Sequence, residues 1–169
     1  DRRPLNDGQS AAKHQSTWHP DGTRLLVGDN GGSNNGLFII YLDGSAPTKL
    51  TDDDMWGVWS PDGSQILTGG FDVMNADGSN KVRLRDGGSM PRWSPDGNKI
   101  TFSLNGDIWL MNTDGSNETN LTEGNCRFLQ GNSSSFCNSP SWSPDGTKIV
   151  FDGLTQDGTV GWSTGDGTP

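Results

Sequence analysis

Apolar residues along this chain come in short bursts, among them Leu25-Leu-Val27, Ile66-Leu67, Ile100-Thr-Phe102 and Ile149-Val-Phe151, divided by stretches of Gly, Asp, Asn and Ser. No stretch sustains an apolar stripe at helical spacing, so the pattern predicts short strands and almost no helix. Each burst follows a Trp and a Pro-Asp-Gly. Pro presets φ at the start of a tight turn and Gly accepts positive φ near its end, so the unit reads as strand, turn, strand.

The unit recurs four times, as Thr17-Trp-His-Pro-Asp-Gly-Thr-Arg-Leu-Leu-Val, Val58-Trp-Ser-Pro-Asp-Gly-Ser-Gln-Ile-Leu-Thr, Arg92-Trp-Ser-Pro-Asp-Gly-Asn-Lys-Ile-Thr-Phe and Ser141-Trp-Ser-Pro-Asp-Gly-Thr-Lys-Ile-Val-Phe. A second phrase follows: Leu37-Phe-Ile-Ile-Tyr-Leu-Asp-Gly-Ser, Phe71-Asp-Val-Met-Asn-Ala-Asp-Gly-Ser, Asp107-Ile-Trp-Leu-Met-Asn-Thr-Asp-Gly-Ser and a degraded copy from Val160. It predicts a third strand and a second hairpin turn. Closing segments at Thr48-Lys-Leu-Thr51, Val82-Arg-Leu84 and Thr119-Asn-Leu-Thr122 predict a fourth strand. Four antiparallel strands in about 40 residues make one propeller blade, which buries its two faces only against neighbouring blades.

Trp-Ser-Pro-Asp-Gly-x-x-Ile-x-Phe followed by Asp-Ile-Trp-x-Met-Asn-x-Asp-Gly-Ser resembles the TolB-like, WD-repeat-related propeller repeat, and the resemblance covers nearly the whole chain. It implies an all-β propeller of four blades, roughly 17–51, 58–86, 92–122 and 141–169 plus 1–8, in a single module over 1–169. The same repeat occurs in TolB itself and in the propellers of prolyl-oligopeptidase-like and tricorn-like peptidases, so it does not by itself specify an activity. Relatives usually carry six or seven blades.

The last repeat stops at Asp166-Gly-Thr-Pro169, where its outer strand should begin, while the segment around Arg3, Pro4 and Leu5 resembles a closing strand. This offset suits a closure in which the N-terminal strand completes the last blade. Three arrangements follow: a ring of four blades, two chains sharing strands in a ring of eight, or one period of a longer array or filament. The opening Asp1, with no signal-peptide pattern, reads as a processed mature protein or a piece of something longer.

The net charge of −9 leaves no basic stripe for phosphate backbones or anionic lipid, and no apolar run is long enough to cross a bilayer. Nucleic acid and membrane insertion are therefore not expected. Cys126 and Cys137 lie in an Asn- and Ser-rich stretch with no His or second Cys pair to complete a zinc site, so a disulfide is predicted, and with it an extracellular or periplasmic location. Asn117, Asn120 and Asn132 each begin an Asn-x-Ser/Thr sequon in the same region, predicting a glycosylated surface.

Candidate chemistry is sparse. His14 and His19 are the only histidines, His19 replaces Ser in a repeated turn, and no Gly-x-Ser-x-Gly elbow occurs, so the chain reads as non-enzymatic. Asp52, Asp53 and Asp54, and the turn residues Asp77 and Asp114, offer clustered oxygens that calcium would suit, although ordinary turns account for them without any cofactor. Trp56 and Trp162 lie outside the repeated Trp position and are the rings with which a propeller lectin would stack on a sugar. The expected partner is protein, further copies of this chain above all, with a glycan as the alternative and a severed peptidase propeller as a third reading.

Overall fold

The structure, a computed structural model, describes residues 16–29, 35–123, 137–154 and 160–164. The described chain is all-β, without helix, in four antiparallel sheets. Sheet 1 holds β1 (Ser16–Trp18), β2 (Arg24–Asp29), β3 (Gly36–Tyr41) and β4 (Thr48–Thr51). Sheet 2 holds β5 (Gly57–Trp59), β6 (Gln65–Thr68), β7 (Asp72–Asn75) and β8 (Val82–Arg83). Sheet 3 holds β9 (Ser89–Trp93), β10 (Lys99–Leu104), β11 (Asp107–Asn112) and β12 (Thr119–Asn120). Sheet 4 has three described strands, β13 (Asn138–Trp142), β14 (Lys148–Leu154) and β15 (Val160–Thr164). Arg3, Pro4 and Leu5, expected to supply its fourth, lie outside the described residues.

The predicted turns form as written. Gly22, Gly63, Gly97 and Gly146 all have φ between +70° and +74°, and each donates its N–H to the carbonyl three residues earlier, at His19, Ser60, Ser94 and Ser143. Strand alternation then sets the junctions between sheets. The first apolar residue after each turn faces the preceding sheet and the next faces the following one, so Leu26 packs with Ile66 and Trp59 between sheets 1 and 2. Leu67 likewise packs with Ile100 and Trp93 between sheets 2 and 3. Ile149, Phe151, Ile108 and Cys137 fill the third junction. The core is therefore three separate slabs rather than one centre.

β1 and β2 pack on β5, β6 on β9, and β9, β10 and β11 on β13, whereas sheets 4 and 1 make no comparable contact among the described residues. Among the described residues the four sheets are therefore not closed into a ring. A ring of four blades, the first of the three expected arrangements, would need a fourth junction, and the N-terminal segment expected to take part in it lies outside the described residues.

Candidate functional site

Each Pro-Asp-Gly aspartate is consumed by its own turn. Asp62 Oδ1 accepts the Ser60 hydroxyl at 2.6 Å and the Ser64 N–H at 3.0 Å, and Asp145 repeats this with Ser143 and Thr147 at 2.6 and 3.0 Å. The Ser60 hydroxyl holds Asp62 down to about 2, Ser143 does the same for Asp145, and the Thr23 backbone N–H, more than any other group, brings Asp21 to about 2. Asp96, bound by Ser94, is lowered as well. Groups whose folded pKa lies below the ordinary 3.8 contribute stability that is complete above that value and is lost as pH falls toward 2. Asp62→Asn is accordingly expected to be less stable than the parent at pH 7, with the gap closing by pH 2 in urea unfolding. A gap constant across that range would show that the ionised carboxylate contributes nothing.

His19 departs from the Ser pattern and serves a junction. Buried to 7%, it sets Nδ1 2.8 Å from Asp21 Oδ1 and Nε2 3.2 Å from the Gly63 carbonyl oxygen, with its ring edge-on to Trp59 at 4.6 Å. A Cβ on Gly63 would meet His19 Nε2 at 2.3 Å, so the imidazole fills the space between the turns of sheets 1 and 2. Ser60 stands at the matching place of the next junction, where a cleft of about 460 Å³ opens beside Asp62, Asp96, Asn98 and Trp93.

Of the residues expected to hold calcium, Asp53 and Asp54 face a lysine. Lys81 Nζ lies 2.7 Å from Asp54, 3.3 Å from Asp53 and 3.4 Å from Asp72, and Arg83 closes on Asp72 through Nε and Nη2. Burial works against the ammonium charge, but Asp54 and then Asp53 outweigh it and hold the Lys81 pKa above its ordinary value. Asp72 shows the same contest with the same winner: burial opposes its charge, yet Arg83 and Lys81 keep it below the usual carboxylate range. Asp52 pairs separately with Lys49 at 2.5 Å. Asp77 and Asp114 accept the N–H and hydroxyl of Ser79 and Ser116 within their own turns. Among the described residues no three acidic, His or Cys groups are arranged to hold a metal ion.

Trp56 is half-buried, and one face of its ring is taken. Arg92 of β9 lies over it with the guanidinium 4.9 Å from the ring centroid, a cation–π contact. Two glycines make room for the segment: a Cβ on Gly28 would stand 1.8 Å from the Met55 carbonyl oxygen, and one on Gly69 would stand 2.9 Å from Trp56 Cε3. Burial lowers the Arg92 pKa, and the guanidinium's hydrogen bond runs from Nη1 to the Pro91 carbonyl at 3.0 Å. A sugar stacking on that face of Trp56 would have to displace Arg92. The side chain of Trp162 lies outside the described residues.

Of the sequons, Asn117 is exposed and Asn132 lies outside the described residues. Asn120 is engaged: its Nδ2 donates to Asp107 at 2.9 Å and its Oδ1 accepts from the Thr122 and Glu123 N–H groups at 3.0 and 2.8 Å. Cys137 is buried and disulfide-bonded; Cys126, the other cysteine of the chain, lies outside the described residues.

Sequence reasoning passed over Arg92, Lys81 and the exposure of Trp18. Arg92 carried a usable signal, because the matching positions of the other repeats are Thr17, Val58 and Ser141. Trp18 carried none, since it sits in the same phrase as its buried counterparts.

Several solved structures share the architecture. One described as TolB from Agrobacterium tumefaciens superposes with a TM-score of 0.71 at 22% identity, covering 95% of this chain and 65% of that one. TolB from Acinetobacter baumannii gives 0.64 at 18% identity over 88% of this chain and 42% of its own. A nidogen/laminin complex gives 0.62 at 15% identity, covering 86% of this chain and 59% of that one. The chain thus spans less than two thirds of the length of each of these relatives, and at such identities the likeness shows the fold. No curated protein matches the sequence. Residues 71–157, just over half of the chain, match the family described as the dipeptidyl peptidase IV (DPP IV) N-terminal region. With its Trp-Ser-Pro-Asp-Gly blades and four-stranded antiparallel sheets, the chain belongs to that family.

Proposed function

We propose that the chain is a non-enzymatic propeller module that works outside the cytoplasm by binding protein. One observation carries this reading. The polar groups most suited to chemistry are spent on the fold, Asp62 and Asp145 on their turns, His19 on the Gly63 junction and Asp54 on Lys81, while large apolar side chains such as Leu42, Met55 and Val82 stay exposed among the described residues. The disulfide at Cys137 supports an oxidising compartment.

The test is direct. Purified chain, offered a chromogenic dipeptidyl substrate, is expected not to turn it over, and turnover that copurifies with the chain would overturn the non-enzymatic reading. Cysteines of material from the natural source should resist alkylation until reduced; freely reactive thiols would remove the support for an extracytoplasmic address. A second reading, that these blades are the propeller region of a peptidase, is favoured by the family match. A native transcript that also encodes a hydrolase would establish it.

A further inference from the structure

We infer that the cleft between the turns of sheets 2 and 3 binds an imidazolium ring, the side chain of a histidine presented by a partner protein. This rests on the reading of the chain as a protein-binding module and names the group it recognises. The neighbouring junction supplies the pattern, because the chain fills the matching space there with a ring of its own. Between the turns of sheets 1 and 2, His19 sets Nδ1 2.8 Å from Asp21 and Nε2 3.2 Å from the Gly63 carbonyl oxygen, edge-on to Trp59. One repeat later the same frame stands without the ring: Ser60 replaces His19, while Asp62, Gly97 and Trp93 repeat Asp21, Gly63 and Trp59. A Cβ on Gly63 would strike His19 Nε2 at 2.3 Å, whereas one on Gly97 would meet only Pro61 Cδ, at 3.8 Å. The cleft of about 460 Å³ opens there, and every residue lining it is described.

The charges around the cleft select a ring that is protonated. At the first junction Arg24 brings a cation, its Nη2 2.9 Å from His19 Nε2 and its guanidinium 5.5 Å from the Trp59 ring centroid. Neutral Gln65 stands at the matching place in the cleft, and a second carboxylate, Asp96, lines the same space. The donors to Asp62 and Asp96 are Ser60, Ser64, Ser94 and Asn98, all neutral, and neither carboxylate pairs with a cation among the described residues. Both are held below the ordinary carboxylate range by those donors and stay ionised. Asp62 Oδ2 takes one bond, from the Ser64 hydroxyl, and so keeps capacity for another. An imidazolium carries an N–H at each end, and the frame offers an acceptor for each, the Asp62 carboxylate and the Gly97 carbonyl. Trp93, 9% exposed with its Nε1 unpaired, walls the cleft as Trp59 walls His19.

The probe is acetyl-histidine methylamide, titrated into isotope-labelled chain and followed by NMR at the Gly97 amide and the Trp93 indole N–H. At about pH 5.5 both signals are expected to shift saturably at low millimolar probe. At about pH 8, where an imidazole of ordinary pKa near 6.5 is neutral, binding should be weaker by about tenfold or more. Acetyl-phenylalanine methylamide, with the same backbone and a ring that lacks N–H groups, is expected to leave both signals in place. Ser60→His repeats at the second junction what the first already accommodates, so the variant should keep the parent's circular dichroism and lose the shifts. Should it fail to fold, the pH and ring comparisons still decide, since they need only the parent. Unmoved Gly97 and Trp93 signals, equal binding of the phenylalanine probe, binding indifferent to pH, or undiminished binding by folded Ser60→His would each overturn the inference. None of these results bears on the turnover or alkylation assays, so the cleft and the non-enzymatic reading fail separately.

Discussion

Phe102→Ala is expected to destabilise the chain by about 3–5 kcal/mol, the range found when a large buried aromatic is emptied from a core that cannot collapse around the gap. Phe102 is wholly buried in β10 and stands at the centre of the slab between sheets 2 and 3. Its ring meets Phe71 edge-on at 5.3 Å, stacks with Trp109 at 6.5 Å, and carries the Arg85 guanidinium 4.4 Å above it. Partners from two sheets converge on one ring, so removing it uncouples them, and Arg85 would lose the aromatic surface that helps offset its burial. Neighbours are held too firmly to fill the space: Phe71 itself sits at φ +65°, and a Cβ on Gly88 would already come within 3.1 Å of its ring. Phe102→Leu, which refills most of the volume, should cost far less. Urea unfolding of both variants checks the point, and equal losses for Ala and Leu would show that ring packing is not what joins these sheets.

Gly28→Ala is the second large effect, expected at about 3 kcal/mol or more, the upper end of what overpacking costs. No unusual dihedral requires glycine here. The restriction is the approach of another sheet, since the new Cβ would stand 1.8 Å from the carbonyl oxygen of Met55, and that obstacle is backbone that cannot rotate away as a side chain would. Sheet 1 would have to move off the segment leading into β5. Trp56 follows Met55 directly, so the displacement should also shift the ring under Arg92 and change its fluorescence. A variant as stable as the parent, with unchanged Trp emission, would show that the two sheets are less closely packed than these distances state.

Different parts of the molecule were legible to different degrees. The Pro-Asp-Gly turns could be read outright, because Pro61, Asp62 and Gly63 act on dihedrals and amides within a few residues of themselves. The facing of Ile66 and Leu67 to opposite junctions also followed from alternation alone. His19 could be recognised as structural from its place in a turn, yet its contact is with the Gly63 carbonyl, 44 residues away. The acidic run at Asp52, Asp53 and Asp54 invited an ion, and nothing local announced that Lys81 would supply the charge from the far edge of sheet 2. Trp56 looked available because a sequence shows which residues are aromatic and not which faces remain open.

The division has a physical basis. What the sequence by itself determined is the repeating unit: strands set by period-two alternation, turns set by Pro and Gly, and the need of each blade for a neighbour on both sides. These rest on interactions spanning a few residues, so four near-identical phrases dictate four near-identical blades. Tertiary structure alone decided which groups meet across the junctions. Closure depends on small tilts and twists summed over successive sheets, and no single phrase encodes the sum. The Trp before Pro-Asp-Gly is therefore buried at 59 and 93 and exposed at 18, although it opens the same repeated phrase each time.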